Sequence, residues 1–113
     1  MFDFARFTIQ GRVGKVKAQD KLVRMSIAAD ASYREEGTWV KRTDWNEVII
    51  FQPKLREWAS NFKPGDYIRA EGRLRQNSYM RNGEKVYTVE LIVEEIARQP
   101  VKKAEAEATS EAA

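Results

Sequence analysis

The side chains best equipped for chemistry lie at alternate positions of two short stretches. In TDWNEVIIF, residues 43–51, an extended chain sends Val48 and Ile50 to one side. Trp45, Ile49 and Phe51, with Glu47 between them, go to the other side. In GRLRQNSYM, residues 72–80, the odd positions Arg73, Arg75, Asn77 and Tyr79 share one side. Flat apolar rings beside guanidinium groups suit unpaired nucleic acid, because bases stack on rings while cations follow the phosphates. Lys41 and Arg42 stand just before Trp45, and Tyr33 and Trp39 belong to the same long loop, where alternation assigns them no side. The same features would also serve a subunit interface in which another chain covers Trp45 and Phe51.

Other chemistries are closed off by composition. The 113-residue chain contains no cysteine and no histidine. Disulfides, thiol nucleophiles, the usual zinc sites and histidine general bases are therefore excluded. GRVGKV, residues 11–16, fails as a phosphate loop, since two residues rather than four separate the glycines and Val16 follows the lysine. Its glycines fit bend or bulge positions in a strand. The carboxylates are scattered, and no pair of them is set up for hydrolysis, so no enzyme is expected. A formal charge of +3 permits an anionic partner without requiring one. The absence of any run near 18 apolar residues predicts no membrane span. Charges inside MFDFARFTIQG argue against a signal peptide, and a cytoplasmic protein is expected.

The elements that must position these groups are strands. Alternation places Phe7, Ile9 and Val13 on one side of the first, and Val23, Met25 and Ile27 on one side of the second. The stretch with Trp45 is the third. Ile68, Ala70 and Leu74 define the fourth, and Tyr87, Val89, Leu91 and Val93 the fifth, each set on the side expected to be buried. Asn82-Gly83 predicts a tight hairpin between the last two, and Glu36-Gly37 a turn in the long loop. Between the third and fourth strands, Leu55, Trp58/Ala59 and Phe62 follow helical spacing behind Pro53, which predicts a short helix with Trp58 in the core. This order, β-β-β-α-β-β, is that of an all-β OB-fold, a five-stranded Greek-key barrel with one short helix between strands 3 and 4. Residues 1–99 form the expected domain, with its folded core at about residues 5–98. Residues 100–113, PVKKAEAEATSEAA, read as a short disordered Ala/Glu/Lys-rich tail.

These residues resemble the bacterial single-stranded DNA-binding protein family. The resemblance runs through Ile9-Gln10-Gly11-Arg12, Ser26-Ile27-Ala28, Ser32-Tyr33, Thr43-Asp44-Trp45 and Val48-Ile49-Ile50-Phe51. It continues through Lys63-Pro64-Gly65-Asp66, Glu71-Gly72-Arg73-Leu74-Arg75, Tyr79 and Tyr87-Thr88-Val89-Glu90. It implies base-stacking roles for Tyr33, Trp45, Phe51 and Tyr79, and an OB-fold that assembles as a homotetramer, with a dimer as the alternative. It further implies sequence-independent protection of single-stranded DNA in replication, recombination, repair or element transfer, without catalysis or cofactor. Arg73, Arg75, Lys41 and Arg42 are the expected phosphate contacts, and Trp39 a further strand contact. Family members commonly end in an acidic tip finishing in Pro-Phe that recruits replication proteins. This sequence ends in TSEAA, so that recruitment is not carried over. Gln52-Pro53 stands where Gly-Lys often follows the third-strand aromatic, and Asn77 where a basic residue is common. Two other readings stay open: a replication-restart (primosomal) OB protein, and a protein-interaction module whose aromatic side is a subunit interface.

Overall fold

The computed structural model describes residues 3–100. Of the expected tail, 101–113 lies outside the described residues. Among the described residues seven strands and one helix follow in order: β1 (Arg6–Ala18), β2 (Val23–Asp30), β3 (Tyr33–Glu35), β4 (Thr38–Val40), β5 (Thr43–Ile50), α1 (Pro53–Ala59), β6 (Tyr67–Arg81) and β7 (Glu84–Arg98). Five of the strands close into a barrel in the order β1-β2-β5-β7-β6, the OB arrangement that the sequence predicts. All its pairings are antiparallel except β5 with β7, which are parallel and meet at Ile49 and Ile92. β3 and β4 form a small separate sheet within the long loop. It prolongs the β2–β5 ladder, because the Asp30–Thr43 pair is followed by an Ala31 N–H bond to the Arg42 carbonyl and then by the Tyr33–Val40 pair. Its turn is at Glu36-Gly37, both with positive φ, and the β6–β7 turn is at Asn82-Gly83, likewise positive. Among the described residues no helix is long and apolar enough to cross a membrane.

Alternation fills the interior as expected. Met25, Ile27, Val48, Ile50, Ile68 and Ala70 are fully buried, with Val13, Val23 and Val93 nearly so, and Phe7 and Ile9 pack against them. Each fully buried Val, Ile or Met side chain contributes roughly 1.5–3 kcal/mol. Ala59 and Phe62 join this core from α1 and the turn after it. Trp58 does not. It is 39% exposed, with its ring tilted against Phe62 at 5.5 Å. The helix is only seven residues long and turns Ala59 inward, which leaves its neighbour Trp58 at the rim.

Two irregularities let the strands curve into closure. Between Val13 and Val16 the β1–β2 register shifts, at Gly14-Lys15, and the freed Lys15 N–H donates to Ser26 Oγ at 2.9 Å. In the β6–β7 ladder, Glu71 faces Glu95 and Gly72 faces Val93, so Glu94 is the extra residue. That bulge reverses alternation in β7 and lets both Val93 and Ile96 point inward. It also presses the chain onto Gly72, where a Cβ would overlap the Ile92 carbonyl and touch the Glu94 nitrogen. Backbone cannot step aside as a flexible side chain would. Gly72→Ala is therefore expected to cost about 1–3 kcal/mol or more. Thermal unfolding followed by circular dichroism, at matched protein concentration, checks this; an unchanged midpoint would show that the bulge is not tight.

Candidate nucleic-acid interface

The outer side of β2, β5, β7 and β6 carries the groups singled out from the sequence. Register defines its rows. Arg24, Ile49, Ile92 and Arg73 lie across the four strands in that order. One step along, Ser26 pairs with Glu47 and Glu90 with Arg75; further along that side stand the pairs Ala28–Trp45 and Asn77–Thr88, and then Tyr79–Val86. Ile49 differs from expectation. It lies on the outer side but is only 3% exposed, because Ile92 meets it in the parallel pair while Arg24 and Arg73 flank the two. Ile92, inside an unbroken Leu-Ile-Val run, falls on this side by alternation with Thr88 and Glu90, but the pattern does not show that it meets Ile49.

Trp45 and Phe51 sit toward opposite ends of β5. Trp45 is 62% exposed, and its ring lies over Gly14 of the β1 bulge, where a Cβ would come within 2.5 Å of the indole. Gly14 thus leaves the space in which the indole rests. Phe51 is half-buried and lines a shallow groove of about 360 Å³ with Arg73, Arg75, Ile92 and Glu94. The Arg75 guanidinium carbon stands 5.4 Å from the centre of the Phe51 ring.

The arginines differ in their partners. Arg75 donates to Glu90 through Nε and Nη2 at 2.9 and 2.6 Å, and Asn77 donates to the same carboxylate oxygen at 3.2 Å. Those bonds from Arg75 hold the Glu90 carboxyl below the ordinary carboxylate range against a partial desolvation, so it is ionised at neutral pH. Arg24 pairs with Glu47 at 2.9 Å, and Arg42 with Asp44 at 3.1 Å. Among the described residues Arg73 and Lys41 enter no ion pair. Glu90 and Arg24 complete a charged patch that the sequence did not reveal, since 15 residues separate Glu90 from Arg75.

The remaining aromatics lie on the two hairpins. In the β3–β4 sheet, Arg34 pairs with Trp39 and its guanidinium carbon lies 5.7 Å from the indole centre. Tyr33 is exposed on the same sheet. Ser32 hydrogen bonds lower the pKa of Asp30 at the foot of this sheet. Tyr79 is exposed on the outer side of the long β6–β7 hairpin. Tyr87 and Val89, expected in the core, are on the inward-facing side as alternation requires but are exposed, Tyr87 at 68%. At 15 residues per strand the hairpin outruns the barrel, so nothing among the described residues covers its far half.

The model of the single-strand binding protein family matches residues 4–99. The mitochondrial single-stranded DNA-binding protein of Drosophila melanogaster is 34% identical over 74 residues, which are 59% of this chain and 51% of that protein. The single-stranded DNA-binding protein of Aquifex aeolicus is 25% identical over 97 residues, 85% of this chain and 66% of that one. The matches thus span from half to just under two thirds of these relatives. Among solved structures, the Plasmodium falciparum SSB complex with single-stranded DNA superposes with a TM-score of 0.70 at 17% identity, covering 88% of this chain and 98% of the other. That likeness establishes the fold.

The seat of Trp45 can be tested directly. With Trp39 and Trp58 replaced by Phe, Gly14→Ala should shift the emission maximum and near-ultraviolet dichroism of Trp45 and leave the far-ultraviolet spectrum unchanged. Identical indole spectra would mean that the ring does not rest on the bulge.

Proposed function

The chain belongs to the single-strand binding protein family, and we propose on that premise that it binds single-stranded DNA with little sequence preference, by base stacking and phosphate contact. The observation that carries this reading is the pair Trp45 and Phe51, outside a closed barrel, with the Arg75 guanidinium over the Phe51 ring. Exposed indole presented on a rigid strand suits bases, every one of which offers a π-face. Tyr33, Trp39 and Tyr79 extend the same chemistry onto the two hairpins, and Arg73, Lys41 and Arg42 supply cations. Of these, Arg42 is partly neutralised by Asp44. The role is passive: holding strands open, shielding them from nucleases and presenting them for replication, recombination, repair or element transfer. The proposal includes a cytoplasmic location and no catalysis.

We further propose that the chain assembles with itself, as a homotetramer. Met80, Tyr87 and Val89 are exposed on one side of the β6–β7 hairpin, where Met80 pairs with Lys85, Ser78 with Tyr87 and Gln76 with Val89. An apolar stripe of this kind on a soluble protein fits burial against another subunit.

Two measurements test these readings. Tryptophan fluorescence should be quenched by a long poly-dT strand, saturating at a definite nucleotide ratio, and not by an equal length of duplex. Trp45→Ala should weaken that binding by about 1–3 kcal/mol, roughly fivefold to 150-fold. Normal binding by the variant would remove Trp45 from the interface, and absence of binding by the wild type would favour the protein-interaction module. For assembly, light scattering should give a multiple of the 13.1 kDa protomer. Tyr87→Glu with Val89→Glu should lower it, and an unchanged mass would place the interface elsewhere.

A further inference from the structure

Arg73 and Arg75 stand two positions apart on the same side of β6, yet their surroundings differ. Arg73 faces Ile92 and has no acidic partner among the described residues. Arg75 faces Glu90 directly across the ladder and spends two of its donors on one carboxylate oxygen. Its guanidinium carbon also lies over the Phe51 ring at 5.4 Å. A phosphate approaching Arg75 would have to displace two charge-assisted hydrogen bonds, and it would then lie beside the carboxylate it had displaced. A base meets neither obstacle. The guanidinium is planar and weakly hydrated, and it stacks on aromatic rings and on bases alike.

Resting on the single-stranded DNA reading, we propose that Arg75 is a stacking residue rather than a phosphate contact: Glu90 and Phe51 hold its guanidinium as one layer of the base-binding surface, and Arg73 supplies the phosphate contact of the same groove. Ile92 and Phe51 give the groove beside these arginines an apolar lining. Glu90 is then a positioning residue. It cancels the charge of Arg75 locally while fixing its orientation, so this part of the surface binds through contact area and not through counterion release.

The two roles differ in their salt dependence. Each phosphate contact on a single strand contributes about 0.7 to the slope of log K against log salt, whereas a stacked base contributes affinity without slope. Binding of the full chain to a dT oligonucleotide is measured at several salt concentrations for the wild type and four variants. Arg75→Lys keeps the charge and loses the plane, so its affinity should fall about fivefold or more with an unchanged slope. The double variant Arg75→Gln/Glu90→Gln removes both charges together and should behave alike. Arg73→Gln should lower the slope by about 0.7. Glu90→Gln frees the charge of Arg75 and should raise the slope by a similar amount. Wild-type affinity in Arg75→Lys, or a slope lowered by about 0.7 in the double variant, would overturn the assignment while leaving DNA binding intact. A wild type that fails to bind would overturn the underlying reading instead.

Discussion

A closed barrel has one interior, and β5 carries apolar side chains on both of its sides. Val48 and Ile50 take the interior, so the other set must be accommodated outside. The barrel does this by closing with a parallel β5–β7 contact that brings Ile49 against Ile92. That pair forms a small buried patch on the outer side, with arginines on the flanking strands. The two rings of β5 and its end, Trp45 and Phe51, then fall on either side of this patch, where burial is incomplete. Closure itself depends on the two bulges. The one at Gly14 provides the seat for Trp45, and the one at Glu94 returns Ile96 to the core after Val93. The position of the aromatic groups is thus tied to the curvature that closes the fold.

Local periodicity carried the fold well and the site in part. Alternation identified Phe7, Ile9 and Val13 of β1, Val23, Met25 and Ile27 of β2, and Ile68 and Ala70 of β6 as interior, because in β1 and β6 these residues precede the register shifts, whereas Leu74 is only partly buried. Asn82-Gly83 and Glu36-Gly37 were readable because positive φ demands such residues. What remained hidden depended on partners distant in sequence. Burial of Ile49 depends on Ile92, 43 positions later in the chain and adjacent only after closure. Alternation assigned Tyr87 and Val89 to the correct side, but it cannot report that the barrel ends before the hairpin does. The helical stripe that included Trp58 is a single turn wide, too short to separate Trp58 from Ala59 as the inward residue. The three-residue strands β3 and β4 carry too little pattern to be seen at all.

Charge on the outer side is more nearly balanced than the sequence suggests. Arg24, Arg42 and Arg75 each have a carboxylate partner, from Glu47, Asp44 and Glu90. Exposed pairs like these add little stability, typically below about 1 kcal/mol. Their effect lies in the field they leave, which is weaker and more local than a row of free guanidiniums would give. Under the proposed function, that shifts the balance from long-range attraction toward contact, so shape and stacking decide affinity and salt modulates it. Under the same proposal such a surface would discriminate against duplex, which offers phosphates in abundance and few open base faces.

The β6–β7 hairpin joins the two proposed activities through its two sides. Its outer side presents Arg73, Arg75 and Tyr79, and its other side presents Met80, Tyr87 and Val89. Residues directly opposed across the ladder, such as Tyr79 and Val86, share a side, while their neighbours Ser78 and Tyr87 share the other. Among the described residues the far half of this hairpin is uncovered, so few contacts beyond its own ladder hold it in one place. Packing Tyr87 and Val89 against a second subunit would supply them. The same packing would set the position of Tyr79 relative to Trp45 and Phe51 and so determine how a strand passes from the barrel onto the hairpin. Assembly and strand binding then draw on the same element without competing for a side chain, because alternation assigns each to its own side.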